Sequence, residues 1–119
     1  MILPEPWMPV APPLGEIWYT TTDGNVSGGV TGMVSNTYEN GKGVIKFEGD
    51  NISINEGAFG SNLKTIKIPQ NVISFSYNAF TDANNLIEVY WNAANATVEI
   101  FNYYYLFPRS PIEICYFGP

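Results

Sequence analysis

The sequence predicts a mainly β protein with short helical turns. The expected architecture is a short solenoid of about two full repeats and four rungs, with a β-hairpin cap at its start and an aromatic cap at its end. Three observations carry that expectation. The chain repeats itself every 21 to 23 residues, each repeat holds a stretch of apolar–polar alternation, and the composition suits strands and turns. Aromatic residues make up 15% of the chain and charged residues only 13%, about half the ~25% of an ordinary globular domain. Gly, Asn, Ser and Thr fill the difference, and these favour turns and strands over exposed helices. A chain of 119 residues has room for one domain with one core.

Residues 1–15 form the first element. Prolines at 4, 6, 9, 12 and 13 predict an extended arm with polyproline character. It is either a free tail or an arm whose Trp7 and Met8 dock on a neighbouring subunit. Residues 16–44 are expected to form the hairpin cap. Within them 16–21 reads as a strand, Asp23-Gly24 as a turn and 30–38 as a second strand.

Residues 45–92 hold the repeats. Ile45-Lys46-Phe47, Ile52-Ser53-Ile54 and Ala58-Phe59 return 21 positions later as Ile66-Lys67-Ile68, Ile73-Ser74-Phe75 and Ala79-Phe80. Leu63-x-x-Ile66-x-Ile68 returns after 23 as Leu86-x-x-Val89-x-Trp91, and a further 23 reaches Ile112-Glu113-Ile114. Rungs are thus expected at Ile45, Ile66, Val89 and Ile112. Alternate residues of a strand face opposite sides, so Phe59, Leu63, Ile66, Phe80, Leu86 and Val89 are candidate core positions. Lys46, Lys67, Tyr90 and Glu113 would line up on the outer face as a candidate binding column. Lys46 beside Lys67 would be repulsive unless Glu48, Thr65 or Glu88 lies close.

Residues 93–119 are the expected C-terminal cap. They carry the aromatic run 101–107, and Pro108 and Pro111 bound a turn before the last strand. Three consecutive tyrosines cannot all point inward, which makes Tyr104 a further candidate for the binding surface.

Ile68-Pro69-Gln70-Asn71-Val72, Phe75, Ala79-Phe80 and Leu86-x-x-Val89 resemble the BspA-type leucine-rich repeat of Bacteroidetes surface proteins. Ile54, Ala58-Phe59 and Leu63-x-x-Ile66 match in the preceding unit, and the resemblance spans about residues 16–92. The small-Cys pair usual before the Leu is absent from both units, and Asn51 stands where the pattern has Val. The resemblance implies a non-enzymatic module presenting a surface to protein or glycan at a bacterial surface. An alternative expectation is a structural or decoration protein of a phage virion, capsid or tail, assembling as a homo-oligomer or with other components through residues 1–14.

Composition narrows the remaining classes. The chain has no histidine and one cysteine, which leaves no Ser-His-Asp or Cys-His nucleophile and none of the usual zinc sites. Cys115 lies in an apolar strand-like stretch and reads as a packed thiol. The net charge is −6, and only Lys42, Lys46, Lys64, Lys67 and Arg109 are basic, which argues against nucleic acid as a partner. No apolar stretch is long enough for a membrane helix. The N-terminus lacks the basic region of a signal peptide, and prolines interrupt its apolar stretch. No catalytic residue, metal ligand or cofactor site is expected.

Overall fold

The computed structural model describes residues 10–49, 51–76, 78–93, 97–98 and 107–117. These residues form two sheets. The larger holds β1 (Glu16–Thr21), β2 (Met33–Glu39), β3 (Lys42–Phe47), β5 (Leu63–Ile68), β7 (Glu88–Trp91) and β9 (Ile114–Phe117). The smaller holds β4 (Ile52–Ile54), β6 (Val72–Phe75) and β8 (Thr97–Val98). The protein is mainly β, and no helix occurs among the described residues. The expected helical turns are single hydrogen-bonded turns instead. Ala79, Thr81 and Ala83 each donate to the carbonyl three residues earlier, and the run stops before it can propagate as a helix.

The hairpin lies elsewhere than expected. Asn40 and Gly41 have φ of 53° and 76°, the positive pair that a two-residue turn of the type joining twisted strands requires. They connect β2 to β3, which pair antiparallel from Met33–Phe47 to Glu39–Lys42. Asp23-Gly24 does turn the chain, with the Asn25 amide donating to Asp23 Oδ1 at 3.1 Å, but it opens a loop. Asn62 Nδ2 holds that loop by donating to Asp23 Oδ1 and the Val26 carbonyl at 3.0 and 3.3 Å. The expected boundary between cap and repeats, at 44/45, falls inside β3.

The larger sheet runs β2-β3-β1-β5-β7-β9. β1 is inserted between β3 and β5 and is antiparallel to both. The expected rung at Ile45 therefore does not stack on Ile66, because Ile17 and Tyr19 of β1 stand between them, paired with Ile45 and Ile66 respectively. From residue 52 the chain alternates between the sheets, and β5, β7 and β9 are parallel, as are β4, β6 and β8.

Ile66 pairs with Val89 and Lys67 with Tyr90, an offset of 23. The next step differs: Val89 pairs with Cys115, an offset of 26. The longer connection shifts the register, and Ile112 lies outside the strand. In the smaller sheet Ser53 pairs with Ser74 at offset 21, but a bulge sets Ile52 opposite Val72. Ile73, the repeat counterpart of Ile52, is left exposed.

The core fills the space between the sheets. Phe59, Leu63, Ile66, Phe80, Leu86 and Val89 are each at most 1% exposed. An aromatic column runs through it, from Tyr38 to Tyr19, Phe59, Phe80 and Phe107, with successive centroids 5.9, 6.4, 5.5 and 4.9 Å apart. Phe107 is buried, whereas the rest of the aromatic run, 101–106 with Tyr104, lies outside the described residues, as do Trp7 and Met8.

The N-terminal end of the column is polar at its rim. Tyr19 Oη donates to Asn36 Oδ1 and accepts from the Ser27 amide at 3.1 Å. Asn36 Nδ2 in turn donates to the Ser27 and Gly28 carbonyls at 2.9 and 3.2 Å. Burial pushes the Tyr19 phenol above the ordinary tyrosine range, against the opposing pull of the Ser27 and Asn36 hydrogen bonds. Its protonated form is thus favoured by folding. That stabilisation is full below the unfolded value of about 10 and is lost as pH rises through the higher folded value. An ultraviolet titration is expected to show Tyr19 ionising late, together with unfolding. A Tyr19→Phe variant should lose one tyrosine's absorbance change from the late phase, and an unchanged late phase in the variant would contradict the assignment.

Candidate functional site: the outward face of the larger sheet

Alternation decides what this face shows. On β1, Ile17, Tyr19 and Thr21 are buried, which leaves Glu16, Trp18 and Thr20 on the other side. On β3 the outward set is Lys42, Val44 and Lys46. On β5 it includes Thr65 and Lys67. Because β1 lies between β3 and β5, Trp18 is flanked by Val44 on one side and Lys67 on the other. Thr20 pairs with Thr65, and their hydroxyl oxygens are 2.7 Å apart.

A partly open cleft of about 320 Å³ lies here, lined by Trp18, Thr20, Gly41, Lys42, Thr65 and Lys67. Lys42 Nζ sits 3.3 Å from the centroid of a Trp18 ring, and Lys67 Nζ sits 5.8 Å from it. An ammonium over an indole face gains about 0.5–1 kcal/mol where exposed, and more when desolvated. The indole N–H of Trp18 donates to Glu16 Oε1 at 3.0 Å, which fixes the ring.

Lys67 donates to the Val10 carbonyl at 3.3 Å, so the end of the N-terminal arm reaches this face. Burial pushes the Lys67 ammonium below the ordinary lysine range, and the Lys42 charge adds to that, while Glu88 opposes both. Among the described residues neither Lys42 nor Lys67 is ion-paired with a carboxylate.

The expected outer column is thus partly rearranged. Lys46 stands opposite Glu16, not beside Lys67, because β1 intervenes. Lys67 and Tyr90 are neighbours in register, but Tyr90 is only 5% exposed and presents little surface. Glu113 precedes β9; its amide donates to the Ile87 carbonyl at 2.8 Å, and the residue paired with Tyr90 is Tyr116. Lys67 is the one member of that column that lines the cleft. Trp18, Thr20 and Lys42 were not among the expected binding residues. Local alternation in 16–21 puts Trp18 and Thr20 on one face, and the Asn40-Gly41 turn delivers Lys42. Their meeting with Lys67 depends on the non-local insertion of β1.

Among the described residues no group of three or more Asp, Glu, Cys or His could hold a metal ion, and no helix is long and apolar enough to cross a membrane. No protein-family model matches the chain, and neither the curated proteins nor the solved structures contain a significant match.

Proposed function

We propose that this protein is a non-enzymatic interaction module of the leucine-rich-repeat class, and that the Trp18 cleft is where it holds a glycan. The repeat class is supported by the recurrence of Ala-Phe and Leu-x-x-Ile/Val, and by the parallel pairing of β5 with β7 at an offset of 23. Glycan binding rests on one observation: an indole, two ammoniums and a pair of threonine hydroxyls converge on one outward cleft. Its volume is at the low end of the ~300–1,000 Å³ of small-ligand sites, which suits a short stretch of sugar better than a broad protein surface. Nothing in the cleft supplies a nucleophile paired with a base.

The test is an oligosaccharide binding screen with wild type and Trp18→Ala. At least one oligosaccharide class is expected to bind wild type. Trp18→Ala is expected to weaken that binding tenfold or more while keeping its cooperative thermal transition. No binding by wild type, or full binding by Trp18→Ala, contradicts the proposal. The arm plays a lesser part in this account. Deleting residues 1–14 removes the Val10 carbonyl from Lys67, the Pro13 carbonyl from the Glu16 amide and the buried Pro12, and is expected to cost about 1–3 kcal/mol, the scale of two hydrogen bonds. The body should remain folded, and loss of the cooperative thermal transition would refute that.

A further inference from the structure

We infer that the sugar held in the Trp18 cleft is acidic, with its charged group set between Lys42 and Lys67; this rests on the glycan-binding reading above. The chain carries a net charge of −6, yet three of its five basic residues, Lys42, Lys46 and Lys67, lie on this one sheet face. Two of them enter the cleft, both within 5.8 Å of the same indole ring. Like charges brought together and partly desolvated are costly; burial is the main cause of the depressed basicity of Lys67, and the Lys42 charge adds to it against the larger opposing pull of Glu88.

The neighbouring carboxylates do not complete the pair. Glu16 accepts from the Trp18 indole, and Glu88 lies beside Lys67 without lining the cleft. An anion between the two ammoniums would satisfy both. A lysine pair offers point charges and not the planar fork of arginine, so it holds one compact anionic group on a ring by charge and does not select that group's geometry. Thr20 and Thr65 share one hydrogen bond between them. A hydroxyl has one donor and two acceptor positions, which leaves capacity for a neighbouring sugar hydroxyl. Free carboxylates and sulfate monoesters of sugars share this chemistry, and the experiment separates them.

The probes are tri-galacturonate, its methyl ester, and a monosulfated neutral trisaccharide, titrated by calorimetry at low and at physiological salt. Tri-galacturonate or the sulfated sugar is expected to bind, and the stronger of the two identifies the acidic group. The methyl ester should bind at least tenfold more weakly than tri-galacturonate if the group is a carboxylate. Binding of the acidic probe should weaken several-fold with salt. Lys42→Gln and Lys67→Gln should each weaken it tenfold or more, with melting profiles recorded to show that both variants fold. A methyl ester that binds as well as or better than both acidic probes overturns the acidic-ligand inference and leaves the glycan reading standing. Failure of both acidic probes also overturns the inference, and the glycan reading falls with it only if the wider oligosaccharide screen is blank.

Discussion

Phe80→Ala is expected to destabilise the protein by about 3–5 kcal/mol, the range for removing a buried phenylalanine ring. Phe80 is fully buried and has three aromatic neighbours among the described residues. It stacks on Phe59 at 5.5 Å with the planes 8° apart, and on Phe107 at 4.9 Å, while Phe75 lies 6.3 Å away. Truncation therefore leaves a cavity bordered by three rings that are themselves held by other contacts. Phe75 packs on Trp91 at 4.4 Å, and Phe59 packs on Tyr19 at 6.4 Å, so neither is free to collapse inward. A small domain has only about 5–15 kcal/mol in total. The variant should thus unfold at markedly lower urea, with an unchanged dependence on denaturant. A loss below about 1 kcal/mol would mean that the column does not organise the core.

Gly43→Ala is expected to cost at or above the upper end of the ~1–3 kcal/mol typical of overpacking. Gly43 faces Tyr19 across the β1–β3 pair, and the tyrosine ring lies over the glycine backbone. A Cβ there would sit 2.2 Å from Tyr19 Cζ and 2.4 Å from both Cε atoms. The ring cannot swing aside cheaply, because Tyr19 is 1% exposed and its hydroxyl is tied to Asn36 and to the Ser27 amide. A Tyr19→Ala background removes the obstacle. In the double variant the two costs should fall short of their sum, with a coupling in the ~0.5–3 kcal/mol range of contacting residues. Additive costs in urea unfolding would contradict the close approach of Tyr19 to Gly43.

The same two positions show which parts of this fold the sequence makes plain and which it hides. The sequence repeat around Phe59 and Phe80 is legible because both rings fill the core, stacked on each other. Leu63-x-x-Ile66 and Leu86-x-x-Val89 differ in sequence position by 23, and their strands pair at that offset. Ile45-Lys46-Phe47 carries the same pattern as Ile66-Lys67-Ile68, yet it does not extend the parallel stack. Alternation says that a strand has a buried face, not which strand lies beside it. The place next to β5 is taken by β1, whose Ile17 and Tyr19 present an equally apolar inward face.

Asn40-Gly41 defines the β2–β3 hairpin, whereas the turn expected from the sequence was Asp23-Gly24. Asp23-Gly24 looks similar in sequence, but Asn62 draws its loop away. The last register shift, from 23 to 26, follows from the length of the connection after β7, which periodicity alone does not count. The cleft was hidden for the same reason as the sheet order. Trp18 and Lys67 are far apart in sequence, and only the insertion of β1 makes them neighbours.

That insertion is the claim on which the cleft, its paired lysines and the proposed ligand all depend. Its most direct test is a set of cross-strand nuclear Overhauser effects from the backbone. Contacts are expected between β1 and both partners, Trp18 with Val44 and Lys67, and Tyr19 with Gly43 and Ile66. Adjacent strands are only ~4.8 Å apart, so these signals should be strong. Ile45 and Ile66, with a strand between them, should give none. Direct backbone contacts between Ile45 and Ile66 would place β3 next to β5 and contradict the account.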